Sequence, residues 1–260
     1  MTEIDRVTIA ILHLKTVDST NTYAKTHQAE LADGTLVVAD GQSAGRGRLG
    51  RRWVSPVGKN FYGSLLMRRL DNPFAGTMVI SLSALAALQE LAPALPVWLK
   101  WPNDLYVGAD KIAGVLSEAV MPADRNRVVI AGLGVNLNLS REELAAIDRP
   151  ATSVLAETGH EINPLFFASK LAEKIKMYYI KGIYCGNALF SEWRAANRIV
   201  GGEIELDTGA NGVVRGTAVG IADDGALLVR GADGAVGPYY SGDASVRRES
   251  LRKMAEHLRG

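Results

Sequence analysis

Between Asp40 and Trp53 the chain reads Asp-Gly-Gln-Ser-Ala-Gly-Arg-Gly-Arg-Leu-Gly-Arg-Arg-Trp, with Gly45, Gly47 and Gly50 interleaved among Arg46, Arg48, Arg51 and Arg52. Glycine lets successive N–H groups converge into an anion-binding concavity, and guanidinium forks form bidentate hydrogen bonds to phosphate or carboxylate oxygens. A nucleotide phosphate is the first candidate ligand, with a solvated basic loop as the plain alternative. Gly45-Arg-Gly-Arg-Leu-Gly50 also fits the dinucleotide fingerprint G-x-G-x-x-G. That fingerprint must open a helix, whereas Pro56 and Gly58 follow here and stop one, so the dinucleotide reading is set aside.

The rest of the composition narrows the classes. Lys and Arg total 29 against 28 Asp and Glu, so the loop is local charge on a near-neutral protein and global steering of polyanions is not expected. A length of 260 residues suits one large domain or a large and a small one, either with a proper core. Cys185 is the single cysteine and the four histidines, His13, His27, His160 and His257, are scattered. Neither a disulfide framework nor a zinc spacing is present, and Cys185 reads as an ordinary buried or half-buried thiol. The N-terminal Met-Thr-Glu-Ile-Asp-Arg has no secretory pattern, and the most apolar run, Met78 to Leu88, is broken by Ser81 and Ser83. That run falls short of the ~20 residues that span a bilayer. A cytoplasmic protein with no membrane association is expected.

The loop needs strands on both sides to hold it. Thr35 to Ala39 is a short β-branched run leading in, and Asn60 to Arg68 leads out; a connection of about 20 residues inside a compact domain is more often functional than structural, and this one is expected to stay mobile until a negative charge orders it. Upstream, a strand over Ile9 to Leu14 runs into Asp18-Ser-Thr-Asn21, any of which could cap a helix from Thr22 to Leu31. Pro73 opens a helix to Ala92 that is apolar on nearly every face and so packs on a sheet. The run from Val97 is a strand closed by Pro102, which leaves Asn103 and Asp104 at a strand end, where chemistry is commonly presented. Leu105 to Val107 and Lys111 to Glu118 form a hairpin, with Gly114 leaving room for a ligand or another backbone. In Val128 to Asn138, strand alternation puts Gly132, Gly134, Asn136 and Asn138 on one face; they read as a floor for a flat ligand, or else as a weak edge strand facing water. Ser140 to Glu143 is a capping box, and helices from Pro164 and over Asn187 to Arg198 carry Phe166, Phe167, Tyr178, Tyr179 and Trp193 as core packing. After Gly201, short strands at Glu203 to Leu206, Val213 to Ile221, Ala226 to Arg230 and Val236 to Tyr240 alternate with Asp-Gly turns, the texture of a small β-barrel or sandwich. Leu251, Met254 and Leu258 have helical spacing in the tail.

Taken in order, Asp18-Ser-Thr-Asn21, Gln42 to Trp53, Lys100-Trp-Pro-Asn-Asp104, Lys111-Ile-Ala-Gly-Val-Leu-Ser-Glu118, Gly132-Leu-Gly-Val-Asn136 and Ser241-Gly-Asp243 resemble the motif series of biotin protein ligases. The resemblance covers almost the whole chain. It implies an α+β fold: a class II aminoacyl-tRNA-synthetase-like catalytic domain over residues 1–199, made of a mixed sheet with helices, then a small SH3-like β-barrel over 200–248 and a short helical tail over 249–260. It implies that biotin and ATP with Mg2+ give biotinyl-5′-AMP and pyrophosphate, and that a lysine of a biotin carboxyl carrier protein then displaces AMP. Position by position, Ser19, Thr20 and Gln42 would hydrogen-bond the ureido ring, with Asn21, Gly45 and Gly47 in the same site. Arg46 and Arg48 would hold the biotin carboxylate and the α-phosphate, with Lys111 beside both reacting groups and Gly114 close under the ligand. Trp53 and Asn136 would lie around adenine and phosphates, and Asn103 and Asp104 on the nucleotide side; no metal ligand is assigned.

Only 17 residues precede Asp18, which leaves no room for the winged-helix DNA-binding domain that some members of the family carry, so a monofunctional ligase without DNA binding is expected. Self-association into a homodimer is left open. Two rivals remain at this stage: a lipoate or octanoate ligase, which shares the adenylating logic but has no use for ureido partners, and a nucleic-acid-binding module using the arginine loop and the small barrel, which predicts salt-dependent binding to any polyanion.

Overall fold

The computed structural model describes residues 7–70, 72–121, 127–208, 212–240, 243–246 and 250–251. Ser241, Gly242 and the tail residues Met254 and Leu258 lie outside them.

A seven-stranded mixed sheet has the order β1-β2-β3-β7-β6-β5-β4, built from β1 (Ala10–Val17), β2 (Thr35–Gln42), β3 (Phe61–Met67), β4 (Val97–Lys100), β5 (Asp104–Val107), β6 (Asp110–Val120) and β7 (Val128–Val135). Only β1 and β2 run parallel. The β1 to β2 crossover carries α1 (Thr20–Thr26), which starts two residues earlier and ends five residues earlier than its apolar pattern suggests. Ser19 takes the N-cap position with extended backbone but makes no side-chain cap bond. Thr20 and Asn21, which could have capped α1, are engaged elsewhere, as described below.

Helix α2 (Pro73–Leu91) is the one helix among the described residues long and apolar enough to cross a membrane. It is instead the centre of the core. Pro73 sits in its first turn and Asn72 Oδ1 caps it by accepting Ala75 N–H at 2.9 Å. Gly76 lies so near the sheet that a Cβ there would stand 2.7 Å from Val129 Cγ1, which brings helix and β7 into close contact. On its other side pack α5 (Pro164–Tyr184) and α6 (Gly186–Ala196), with Phe167, Tyr179 and Trp193 buried. Two expectations fail here. Phe166, in the first turn of α5, is 52% exposed, and Cys185 is exposed, because it occupies the tight turn joining α5 to α6.

Two short helices, α3 (Arg141–Ala145) and α4 (Val154–Thr158), complete this part. The capping box at Ser140 and Glu143 is formed in both directions. The expected strand to Asn138 stops at Val135. Asn136 N–H turns to Ile112 O at 2.9 Å, and the Asn138 amide clamps Ile162 through its carbonyl and its nitrogen, so Asn138 is structural rather than part of a ligand floor.

A second, five-stranded sheet is entirely antiparallel, in the order β11-β10-β9-β8-β12. Its strands are β8 (Glu203–Asp207), β9 (Val213–Ile221), β10 (Leu227–Arg230), β11 (Val236–Tyr239) and β12 (Asp243–Val246). The last was not legible as a strand, since only four residues of it pair, with β8, far back in the chain.

Candidate functional site

On one face of the large sheet, directly paired residues form two rows. Tyr62, Gly134, Gly114 and Asp104 are partners across β3, β7, β6 and β5, and Ser64, Gly132 and Leu116 form the neighbouring row. Paired residues share a face, so three glycines open a depression in the sheet's middle. Above it lies a cavity of about 430 Å³, the size of a small-molecule site.

The depression is filled by the chain's own side chains. A Cβ at Gly132 would stand 2.2 Å from Asn21 Oδ1, at Gly134 2.4 Å from the Trp53 ring, and at Gly114 2.9 Å from Lys111 Nζ. The glycines are there for close approach, as their positions suggested, but what approaches is an amide, an indole and an ammonium, on which a ligand would then rest.

At the α1 end the cavity is lined by Ser19, Thr20, Asn21 and Gln42. Ser19, Thr20 and Asn21 are buried. Gln42 Oε1 accepts Thr20 N–H at 2.8 Å, while its Nε2 donates to Ser55 Oγ at 3.0 Å. The Ser64 hydroxyl lies 2.6 Å from Asn21 Oδ1 and 2.7 Å from Thr20 Oγ1. Asn21 spends both amide protons, one on Leu116 O at 3.0 Å and one on Glu118 Oε2 at 2.9 Å, so it buttresses this end more than it serves a ligand. Glu118 also accepts from Lys25 and, at 3.1 Å, from Arg46 Nη2. Burial opposes its ionisation, but the Lys25 and Asn21 hydrogen bonds and the charges of Lys25 and Arg46 outweigh it and hold the carboxyl below the usual carboxylate range.

The arginine loop is folded down over the cavity. Its two arms bridge at Arg46 and Arg52, and Gly47 N–H donates to Arg51 O at 2.7 Å. Arg48 Nη1 donates to Asn103 Oδ1 at 2.9 Å, and Asn103 Nδ2 donates to Val115 O at 2.6 Å, so one amide ties the loop to β6. At the tip Leu49 adopts φ 55°, a left-handed conformation that costs a non-glycine residue ~1–2 kcal/mol. Gly45 is the one predicted site residue outside the cavity lining. It sits in the loop's base, where a Cβ would meet Trp53 O at 2.5 Å, and so shapes the loop.

In the middle stands Lys111. Its Nζ is 2.6 Å from Asp104 Oδ1 and 5.5 Å from the centre of the Trp53 ring. Its backbone is held by Pro150 O and by Thr152 N–H, which brings Arg149, Pro150 and Ala151 to the cavity wall. Asn136 lines the same wall, its Nδ2 donating to Thr152 O at 3.0 Å. Thus Arg46, Gly47, Arg48, Trp53, Asn103, Asp104, Lys111, Gly114 and Asn136 converge on one cavity with the α1-end group.

Several contributors were not picked out from the sequence. Glu118 shares a strand face with Gly114 and Leu116, and that alternation was a usable signal. Ser64 is paired opposite Gly132, and no sequence signal marks it. The same holds for Val246, at the end of β12, and for Leu251 beyond it, both of which line the cavity. Among the described residues, no three His, Cys, Asp or Glu side chains gather as a metal site.

The geometry arranges cations around a depression wide enough for two linked anions, with a buried polar socket at one end. Comparison with known proteins agrees. Residues 13–136 match the Biotin/lipoate A/B protein ligase family, and residues 199–247 match the Biotin protein ligase C terminal domain. A Biotin--[acetyl-CoA-carboxylase] ligase of Paracoccus denitrificans is 35% identical over 85% of this chain and 94% of its own length. The Bifunctional ligase/repressor BirA of Salmonella typhimurium is 32% identical over 94% of this chain and 76% of its own. Among solved structures, the biotin protein ligase of Aquifex aeolicus in complex with biotin and ATP superposes with a TM-score of 0.78 at 32% identity, over 92% of this chain and 99% of that one.

Proposed function

The chain belongs to the biotin protein ligase family, and we propose that it joins biotin to ATP through Lys111, Arg46 and Arg48 and then hands the biotinyl group to a carrier-domain lysine. The reaction needs no covalent enzyme intermediate. A biotin carboxylate oxygen attacks the α-phosphorus, the bond to the bridging oxygen breaks, and pyrophosphate leaves. A neutral lysine amine of the acceptor then attacks the mixed anhydride's carbonyl, AMP departs, and the amine's proton goes to solvent or to AMP. The first step brings two anions together and the second expels one, so the protein's task is positioning and charge neutralisation.

The observation that carries this reading is Lys111 seated between Asp104 and Trp53 at the centre of the cavity. On one side Ser19, Thr20 and Gln42 offer the hydroxyls and amide that a buried urea requires, with Asn21 supporting them and Gly45 and Gly47 shaping the loop above. On the other, Trp53, Asn103 and Asn136 border the nucleotide. Arg46 and Arg48, resting on Glu118 and Asn103, would exchange these partners for the biotin carboxylate and the α-phosphate. Mg2+ would arrive with ATP; it is held chiefly by phosphate oxygens and needs few protein ligands, and the carboxylate of Asp104 on the cavity wall fits it. It would help neutralise the triphosphate. We further take residues 1–199 as the unit that binds both substrates and 200–248 as the C-terminal unit, the acceptor as the carrier protein of a biotin-dependent carboxylase, and the setting as cytoplasmic, with no role for DNA.

Incubating the chain with biotin, ATP, Mg2+ and a biotin carboxyl carrier domain tests this directly. Pyrophosphate release and streptavidin-detectable label on one carrier lysine are expected, and calorimetry should show biotin binding where lipoate does not. Absence of label, or label that does not depend on ATP, would overturn the reading.

A further inference from the structure

Beyond β12, Leu251 reaches the cavity. Leu251 is 6% exposed and packs with Trp98 and Ala109, against partly buried Tyr106 and Val246. Leu251, Val246, Tyr106 and Ala109 line the same cavity as Lys111. Tyr106 is on β5, Ala109 in the following turn and Lys111 on β6, so Leu251 is wedged against the hairpin that presents the lysine. Trp98 Nε1 fastens the turn by donating to Gly108 O at 3.2 Å.

In the sheet order this hairpin stands on the far side of β7 from β2 and β3. Leu251 therefore borders the end of the cavity opposite Thr20 and Gln42. That end has a different chemistry: Tyr106, Ala109, Ile147, Pro150, Val246 and Leu251 present mostly carbon, with Lys100 and Arg149 among them. A flat heterocycle attached to a polyphosphate matches such a wall, because apolar contact holds the ring while the cations meet the charge.

We propose that Leu251, beyond β12, is a working part of the nucleotide site and forms, with Val246, the apolar wall against which the adenine of ATP packs. Leu251 is thus a residue that sets nucleotide affinity, contributed by the chain's C-terminal end. This rests on the ligase reading above.

The test is steady-state kinetics of the full chain with Leu251→Ala and Leu251→Met, varying ATP and biotin separately and following pyrophosphate. Removing the branched end of a leucine from a pocket wall should raise the KM for ATP on the order of tenfold, leave the KM for biotin unchanged, and be reversed in Leu251→Met, which restores the volume. Unchanged ATP dependence in Leu251→Ala overturns the proposal. So does parallel loss of ATP and biotin affinity in both variants, since Leu251 would then serve only the fold. Wild-type enzyme that released no pyrophosphate would count against the ligase reading itself, and separates that failure from this one.

Discussion

Lys111 is held from three directions: Asp104 pairs with its ammonium, the Trp53 ring lies alongside, and Gly114 leaves the space its side chain occupies. Because the cation is aimed where charge builds up between carboxylate and phosphorus, Lys111→Ala should lower the rate of adenylate formation a hundredfold or more, the usual scale for removing one such donor. The side chain is partly exposed rather than core, so the variant should melt like the parent; near-normal pyrophosphate release would remove Lys111 from the chemistry. Glu118 allows a second expectation. Its folded carboxyl ionises below the unfolded one, so the stability it adds is fully present above the unfolded value of about 4.3 and is lost as pH falls through the lower folded value. Denaturation of wild type and Glu118→Gln across pH should therefore show a gap at neutral pH that closes in acid; a gap independent of pH would mean that shape, not charge, holds Lys25, Asn21 and Arg46 together.

The arginine loop is one element, anchored at its base near Gln42 and Trp53 and tied down by Arg48 on Asn103. Losing a charge-assisted hydrogen bond worth ~1.5–3 kcal/mol should let the closed loop open roughly ten- to a hundredfold more often. Arg48→Gly is therefore expected to keep forming the adenylate but to release it, seen as free biotinyl-AMP and as label on lysines of bystander proteins; an intermediate that stays bound would show that something else closes the cavity. Much of this element was readable beforehand. Spacing alone placed Gly45 to Trp53 between two strands and marked it as cationic, and proline and glycine excluded a helix. What could not be read was which side chains the loop rests on. Those contacts depend on Asn103, in the turn before β5, and on Glu118 and Gly134, on strands far along the chain, which come together only through the sheet order. For the same reason the glycine floor was legible as close approach, but not the identity of the side chains approaching it. Helix α1 was misplaced because Thr20 and Asn21, read as possible caps, are drawn instead into tertiary bonds with Gln42 and Ser64, where long-range pairing outweighs local preference.

At the scale of the molecule, one turn of the second sheet makes a close seam with the first unit. Gly225, between β9 and β10, adopts φ 88°. Its carbonyl accepts Trp101 Nε1–H at 3.0 Å, and its α-carbon presses on Phe74, which packs edge-on to Trp193 with ring centres 5.1 Å apart. Arg194 reaches Asp223 across the same seam at 2.7 Å, an exposed pair that adds little. The seam matters to the site because Trp101 lies between β4 and the Asn103–Asp104 corner, and because β12, with Val246 at its end, belongs to the docked sheet. The Asp-Gly turn was evident as a turn in the sequence, but nothing local shows that its glycine meets an aromatic side chain some 150 residues earlier in the chain. A methyl group at Gly225 would stand 2.6 Å from Phe74 Cε1, in a left-handed conformation that disfavours any side chain. Adding the conformational and overpacking costs, Gly225→Ala should destabilise the protein by about 2–4 kcal/mol. Because the docked sheet supplies Val246 to the cavity, the melting temperature should fall and the affinity for ATP should weaken more than that for biotin. A melting curve that overlays the parent's would mean that the turn moves off Phe74 at no cost, and the two units would then be joined by more than this seam.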